Sequence, residues 1–195
     1  MKRSSKSKLR TALTCVGIVL ILSAVGLLVF SKISISRAQD NAQKIVSEMY
    51  SLMPEVTDGA PDERANPSMP MLQLDGKNFV GIIEVPQFGT RLPIYGKWER
   101  SQVTKYPCRY TGSVYSDVLV IGGSDNEGQL DFVKEISNDD SVYITDTTGI
   151  RYKYTVYDIN RTKDVSAEYL TKSDARLVLF ARNTYSFDYT VIYCK

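Results

Sequence analysis

The sequence predicts one all-β domain that follows an N-terminal apolar segment. From about residue 74 onward, short runs rich in Val, Ile, Tyr and Thr are separated by turn residues such as "DTTG". Helical patterns are scarce there, because only "GQLDFVKEI" and a piece near "SAEYL" look helical. The length of 195 residues suits one core and is too short for two comfortable domains.

The N-terminal part of the chain is predicted to be a membrane anchor. A basic tail, residues 1–10, precedes "TALTCVGIVLILSAVGLLVFS", twenty-one uncharged residues at positions 11–31. A bilayer-spanning helix needs roughly 20 such residues. Basic residues are more frequent before the segment than after it, which predicts a cytoplasmic N-terminus and an extracellular C-terminal domain. The alternative is a cleaved signal peptide with a weak site at residues 36–38, but its apolar region is usually about 7 to 15 residues long.

Residues 32–73 are predicted to form a stalk helix and a linker. Ile45, Val46, Met49 and Met53 recur at helical spacing, which indicates a helix from about residue 38 to 53 whose apolar face packs against the domain. "PEVTDGAPDERANPSMP", residues 54–70, carries four prolines and few apolar residues, so we expect a semi-extended linker. The β domain then covers residues 74–195.

Seven segments of this domain are predicted strands. They are "NFVGIIEVP", "RLPIY", "VLVIGG", "SVYITD", "IRYKYTVYDI", "RLVLFA" and "YTVIYC". The alternating tyrosines of "YKYTVY" are typical of cross-strand packing, and an exposed aromatic ladder that binds carbohydrate or protein is the other interpretation.

The composition excludes several classes of chemistry. The chain contains no histidine, so Ser-His-Asp and Cys-His mechanisms and His-bearing zinc sites are absent. The three cysteines form no CxxC motif, and we expect no metal and no cofactor. The net charge is only +2, and five basic residues lie in the first ten positions, so a nucleic-acid-binding surface is not indicated.

Two of the cysteines are expected to form a disulfide. Cys15 lies within the apolar segment and is interpreted as a small apolar residue. Cys108 and Cys194 face an oxidising compartment in the predicted topology, where a disulfide persists. The bridge would close a loop of about 85 residues, for which loop entropy allows roughly 4 kcal/mol. Two buried free thiols are the alternative, and the compartment favours the bridge.

Several segments occur in the order found in one enzyme family. They are "GIIEVPQFGTRLPIYGKW", "YPCRYTGSVYSDVLVIGGSD", "FVKEISNDDSVYITDTTGIRYKYTV", and the pair "LVLF" and "YTVIYC". On these motifs the domain resembles the sortases, membrane-anchored cysteine transpeptidases of Gram-positive bacteria, particularly the class B and D-like clostridial members. The resemblance runs from about residue 79 to 194. It implies an eight-stranded β-barrel with a substrate groove near the seventh and eighth strands.

The resemblance also implies where catalytic groups should stand. In sortases a Cys thiolate attacks the threonyl carbonyl of an LPxTG-type sorting signal, a histidine protonates the departing amine, and an arginine stabilises the charge. The histidine position after "LVIGG" is Ser124, followed by Asp125. The Thr-Cys pair after "LVLF" is Ala181-Arg182, and the arginine position is Tyr189. All three catalytic residues are therefore substituted. The arginine at the nucleophile position is a permanent cation, which cannot attack a carbonyl.

The candidate groove residues are the three substituted positions, Ser124, Arg182 and Tyr189, together with Asp125 and Ala181. A serine in a Gly-rich turn, such as Ser124, usually serves the structure of the turn. The alternative is a serine nucleophile with a lysine base. Arg182 is expected to pair with Asp125 or Asp188, and the alternative is that it binds a peptide carboxylate. Cys194 lies near the far end of the last strand, about 16 Å along it from the groove, and is not an obvious replacement nucleophile.

The sequence therefore predicts a membrane-anchored extracellular pseudo-sortase. Such a protein would bind or scaffold sorting-signal peptides, pilins or an active sortase. One rival hypothesis is an active, cysteine-independent transpeptidase or peptidase that uses unconventional residues. A second rival is a structural envelope protein that binds no peptide. The intact scaffold around three substituted catalytic positions favours the pseudo-sortase.

Overall fold

A computed structural model describes residues 4–59, 68–116 and 118–195, with side chains from residue 14 onward except those of residues 31–38. The centre of the predicted linker, residues 60–67, lies outside the described residues, and so do the first three residues and the side chains of the rest of the basic tail. The chain divides into two units, residues 1–38 and residues 39–195.

The first unit is helical. Helix α1 extends over Ser4–Leu52, and its residues up to 38 belong to this unit. The large apolar side chains from Val16 to Phe30 are exposed. Within the part of the chain that the structure describes, no helix combines the length and the apolar character that a membrane crossing requires. The anchor at residues 11–31 therefore stays a prediction from the sequence.

The second unit is built on ten strands within its described residues. They are β1 (Thr57–Gly59), β2 (Leu72–Leu74), β3 (Lys77–Val85), β4 (Thr90–Tyr95), β5 (Cys108–Gly112), β6 (Leu119–Ser124), β7 (Ser141–Asp146), β8 (Ile150–Thr162), β9 (Leu177–Arg182) and β10 (Tyr189–Cys194). The helical elements are 3₁₀ turns at Pro86–Phe88 and Asp131–Lys134 and the short helix α2 (Ala167–Leu170). All seven predicted strands are confirmed.

Eight of these strands form a closed barrel. Neighbouring strands follow the order β8-β10-β9-β6-β5-β4-β3, and β7 pairs with both β3 and β8. Strand β7 thus joins the two ends of the sheet and closes the ring, which leaves the short strands β1 and β2 outside it. Closure pairs strand edges that would otherwise be exposed to other chains. The predicted eight-stranded barrel with short helices is confirmed.

Residues of β9 alternate between two hydrophobic clusters. Leu177, Leu179 and Ala181 belong to the large cluster that draws residues from strands all round the barrel. Val178 and Phe180 belong to a separate cluster with residues of β6 and β10. Successive side chains of a strand point to opposite faces, so the first set faces the interior and the second faces outward.

The C-terminal end of α1 packs against the barrel within the second unit, as its helical spacing predicts. Ile45, Val46, Met49 and Met53 are buried in one cluster with side chains of β3, β4 and β5, among them Phe79. Met49 and Phe79 are fully buried. This end of the helix is therefore part of the folded domain.

The tyrosines of "YKYTVY" serve packing rather than an exposed ladder. Tyr152 and Tyr154 are 1% and 2% exposed. The Tyr152 hydroxyl donates to the buried carboxylate of Asp146 at 3.3 Å, and Tyr115 donates to the same oxygen at 2.5 Å. The other Asp146 oxygen accepts from the Thr148 N–H at 2.8 Å, which holds the "DTTG" turn between β7 and β8.

The predicted disulfide between Cys108 and Cys194 is wrong, because both are free, buried thiols. Cys108 lies opposite Gly122 of β6. Cys194 lies opposite Leu177 of β9, whose neighbour on β6 is Leu119. Three strand-to-strand steps and three residues of rise therefore separate the two cysteines, on the order of 15 Å at ordinary sheet dimensions. A disulfide requires Cα atoms within about 7 Å.

The two buried thiols are expected to be unreactive in the folded protein. Burial raises the pKa of Cys108 and of Cys194 to about 12, so both stay protonated near neutral pH. In a Cys15→Ser variant, we expect no labelling by a thiol reagent at about pH 8 and labelling of both thiols in denaturant without reductant. Intact-mass measurement reads the label count. Labelling in denaturant that appears only after reduction would restore the disulfide.

Candidate functional site

Ser124, Arg182 and Tyr189, the positions that the sequence resemblance predicts for three catalytic groups, lie in one row across three neighbouring strands. Parallel pairing of β6 with β9 places Ser124 beside Arg182, and antiparallel pairing of β9 with β10 places Tyr189 opposite Arg182. Directly opposite residues on paired strands have Cβ atoms about 5 Å apart. Strand alternation puts all three on the outer face, two residues beyond Gly122, Phe180 and Val191 of the same strands.

This row borders a cavity of about 590 Å³, a size typical of ligand sites. Ser124, Arg182 and Tyr189 line it together with Gly123. The facing wall comes from the segment between β4 and β5, and two turns complete the rim. These further lining residues are Trp98, Arg100, Val103, Thr104, Asn126 and Thr184.

Two of the five candidate positions do not line the cavity. Ala181 is fully buried in the barrel interior. Asp125 is 4% exposed, and its carboxylate accepts from the Thr184 N–H at 3.0 Å and from the Thr184 hydroxyl at 2.5 Å. Its other oxygen lies 3.6 Å from the Lys134 ammonium. Asp125 therefore ties the turn after β6 to the loop after β9.

Ser124 has the contacts of a turn residue. Its hydroxyl oxygen accepts from the Asn126 N–H at 3.3 Å, and its own N–H donates to Gln129 Oε1 at 2.7 Å. Lys134, the lysine of the neighbouring turn, donates to the Asp125 carbonyl at 2.6 Å instead. Among the described residues, no lysine is hydrogen-bonded to the Ser124 hydroxyl. This geometry favours a structural role for Ser124 in its turn over a role as a nucleophile.

The internal ion pair expected for Arg182 is wrong. Within the described residues, neither Asp125 nor Asp188 forms a salt bridge with it. Asp125 pairs with Lys134, and Asp188 accepts hydrogen bonds from side chains of its own loop. The Arg182 guanidinium is exposed and lies 5.7 Å from the ring centre of Phe187. The cation is thus available to a ligand in the cavity.

Aromatic packing holds Trp98 at the cavity wall. Its ring lies 5.4 Å from the ring of Phe180 and 5.3 Å from that of Tyr110, measured between centroids. Phe180 in turn lies 6.0 Å from Tyr189. A Cβ at Gly122 would approach Phe180 to 2.2 Å and Trp98 to 2.6 Å, so only glycine leaves room for both rings. Trp98 nevertheless stays 41% exposed toward the cavity.

Gln129 connects the two walls. It is 4% exposed, accepts from the Ser124 N–H at 2.7 Å and donates to the Val103 carbonyl at 2.8 Å. Ser124 and Val103 both line the cavity. One buried amide therefore sets the separation of the row and the facing segment.

Solved structures similar to this chain are sortases. Sortase A from Corynebacterium diphtheriae, a lid mutant, is 17% identical, with a TM-score of 0.53 over 83% of this chain and 92% of that one. Clostridium perfringens sortase C with the C-terminal cell wall sorting motif is 14% identical, with a TM-score of 0.51 over 83% and 88%. Streptococcus agalactiae sortase C1 is 15% identical, with a TM-score of 0.52 over 63% and 69%. The chain has a sortase fold.

The similarity extends to the fold alone. No protein-family model and no curated protein matches the sequence. Structures of sortases of the A, C and D classes are all similar to the chain, so the class B and D-like assignment stays a prediction. Ser124, Arg182 and Tyr189 are neighbours in the sheet, and their assignment to catalytic positions stays a prediction from the sequence.

Sequence reasoning missed the facing wall of the cavity. Trp98, Arg100, Val103 and Thr104 lie in a polar turn with no strand or helix periodicity. The one available signal is that Trp98 is the only tryptophan in the chain. Nothing in the sequence around Trp98 shows that its ring packs over Gly122, which lies more than twenty positions later in the chain.

The bridging role of Gln129 predicts a specific loss of stability. Gln129→Met keeps a similar shape but removes two part-buried hydrogen bonds, those to the Ser124 N–H and the Val103 carbonyl, so we expect about 1 to 3 kcal/mol of destabilisation. Chemical unfolding measures it, and Trp98 emission reports the change in the wall. The control is Gln73→Met on the exposed edge strand β2, for which little change is expected. Equal effects of the two substitutions would contradict the bridging role.

Proposed function

We propose that this protein is a catalytically inactive sortase-fold protein that binds sorting-signal peptides in the cavity beside Ser124, Arg182 and Tyr189. The observation that carries the proposal is the row itself. The three positions are side by side at an open cavity, while the nucleophile position holds an arginine. The site therefore has a cavity that can hold a peptide, and it lacks the catalytic groups that acyl transfer in sortases requires.

Acyl transfer needs an activated nucleophile and a group that moves protons, and the described lining of the cavity contains no thiol, imidazole, carboxylate or lysine. Cys108 and Cys194 are buried outside it, and burial raises the pKa of each thiol to about 12. Ser124 is held in a turn, and the described lining residues include no carboxylate and no lysine that would serve as base. These facts support inactivity over the hypothesis of an unconventional enzyme.

Peptide binding is supported by the composition of the cavity walls. The exposed ring of Trp98 and the side chain of Val103 offer apolar contact. Hydroxyl, amide and guanidinium groups around them offer directional hydrogen bonds. One similar structure, the C. perfringens sortase C, contains a C-terminal cell wall sorting motif. By analogy, the proposed carriers of the peptide are cell-wall substrates, pilins or a partner that works with an active sortase.

The proposal includes a single-pass anchor in the cell membrane with the barrel outside the cell. Its support is the uncharged segment at residues 11–31, the basic tail before it and the exposed apolar side chains from Val16 to Phe30. Binding at the cell surface would then occur next to the wall polymers to which sorted proteins are attached.

Binding and turnover are to be measured separately on the full-length chain, which we expect to recover from the membrane fraction with detergent. With an LPxTG-type peptide and an amine acceptor, calorimetry should show binding and mass spectrometry should show no product. Trp98→Ala should weaken binding about tenfold, because an aromatic side chain that becomes covered by the ligand commonly dominates the binding energy. The matched control is Tyr185→Ala, a 90% exposed aromatic outside the cavity, which should bind normally.

Two outcomes would overturn the proposal. Product formation that is lost in a Ser124→Ala variant would identify an active enzyme. Absence of binding to every sorting peptide tested would identify a structural protein.

A further inference from the structure

We propose that the cavity captures the C-terminal carboxylate of its peptide, with Arg182 and Arg100 as the recognising groups. This inference rests on the proposed peptide-binding function and names the chemistry of the ligand's end. It replaces the internal ion pair that the sequence predicts for Arg182.

The charge of the cavity is unbalanced. Two guanidiniums and no carboxylate stand among its described lining residues. Both Arg100 and Arg182 are exposed, and neither forms an ion pair with a described residue. Such a site favours an anionic ligand, because two cations without a neighbouring carboxylate attract negative charge.

The nearest acids are already engaged by other groups. Glu99, next to Arg100 in the chain, accepts from the Ser101 hydroxyl at 2.7 Å and lies 3.6 Å from the Lys97 ammonium. The hydrogen bond from Ser101 is the main cause of a lowered pKa for Glu99, so this carboxylate is charged and satisfied near neutral pH. Asp125 lies 3.6 Å from the Lys134 ammonium and accepts two hydrogen bonds from Thr184.

Arginine is suited to a carboxylate. Its planar guanidinium stays charged and presents parallel N–H donors that match the two carboxylate oxygens. The Ser124 hydroxyl, beside Arg182 in the row, accepts from the Asn126 N–H and has a hydrogen left to donate. The row therefore offers adjacent donors at one place on the cavity wall.

The apolar wall favours a peptide end over a small anion. Trp98 and Val103 line the same cavity as the two arginines, and a volume of about 590 Å³ far exceeds one small anion. A C-terminal residue carries its side chain and its carboxylate on one Cα, so it contacts the aromatic wall and the guanidinium together. An internal Asp or Glu would use its side chain on the arginine and leave the aromatic wall to another residue.

The single tryptophan provides the readout, since Trp98 lies in the cavity wall. The probe is an N-acetylated tetrapeptide ending in leucine, prepared as the free acid and as the C-terminal amide. Titrated into the full-length protein, the free acid should bind at least about tenfold more tightly than the amide, because charge-assisted hydrogen bonds are stronger than neutral ones. Arg182→Gln should abolish this preference, and Arg100→Gln should reduce it.

The matched control is Arg161→Gln, which removes an exposed arginine of β8 that does not line the cavity and should leave the preference intact. Equal affinity for acid and amide would overturn carboxylate capture while leaving peptide binding in place. Binding of neither form, nor of LPxTG-type peptides, would overturn both proposals. Competition by inorganic phosphate at the affinity of the free-acid peptide would also overturn the inference, because the site would then be a general anion site.

Discussion

The parallel pairing of β6 with β9 is the constraint on which the groove depends. It aligns Ser124 with Arg182, and the antiparallel partner β10 adds Tyr189 to the same row. The side-chain period of a strand is two, so a register shift of one residue would turn Arg182 into the interior and bring Ala181 to the surface. The interior leucines of β9 fix the register, since their burial would be lost in such a shift.

The facing wall is fixed by different interactions. Trp98 packs on Phe180 above Gly122, so the absence of one side chain on β6 positions the ring beside the row. Gln129 then connects the Ser124 N–H to the Val103 carbonyl. Phe180 and Gln129 are buried, whereas Trp98 and the guanidiniums of Arg100 and Arg182 are exposed. The cavity therefore has a packed base and exposed cations at its surface, an arrangement suited to an anionic ligand.

The sequence was sufficient to predict the barrel and the residues of the row. It was insufficient to predict most of the side-chain contacts around the cavity. Runs of β-branched and aromatic residues predicted seven strands, because strand formation depends largely on local pattern. Strand β5 was missed, since "CRYTG" is short and polar and contains a bulge between Arg109 and Thr111. The disulfide failed for a geometric reason. An oxidising compartment permits a bridge, and only the strand order shows that Cys108 and Cys194 are too far apart.

The fate of Arg182 shows the same limit. Asp125 and Asp188 lie near Arg182 in the sequence, but the geometry of the turns determines which side chains contact each other. In the structure Asp125 contacts Lys134 and Thr184 and not Arg182. The result is a sortase fold in which the position predicted for the nucleophile holds an exposed arginine, and this arginine forms no salt bridge with a described residue.

The central claim, that the catalytic geometry is present and the catalytic groups are absent, is tested most directly by intact-mass measurement after incubation with a sorting peptide. The wild-type chain should remain unmodified. The triple variant Ser124→His, Arg182→Cys, Tyr189→Arg should gain the acyl mass of a thioester, and Arg182→Cys alone should gain much less because it lacks the proton donor and the cation. An acyl adduct on the wild-type chain would contradict the account.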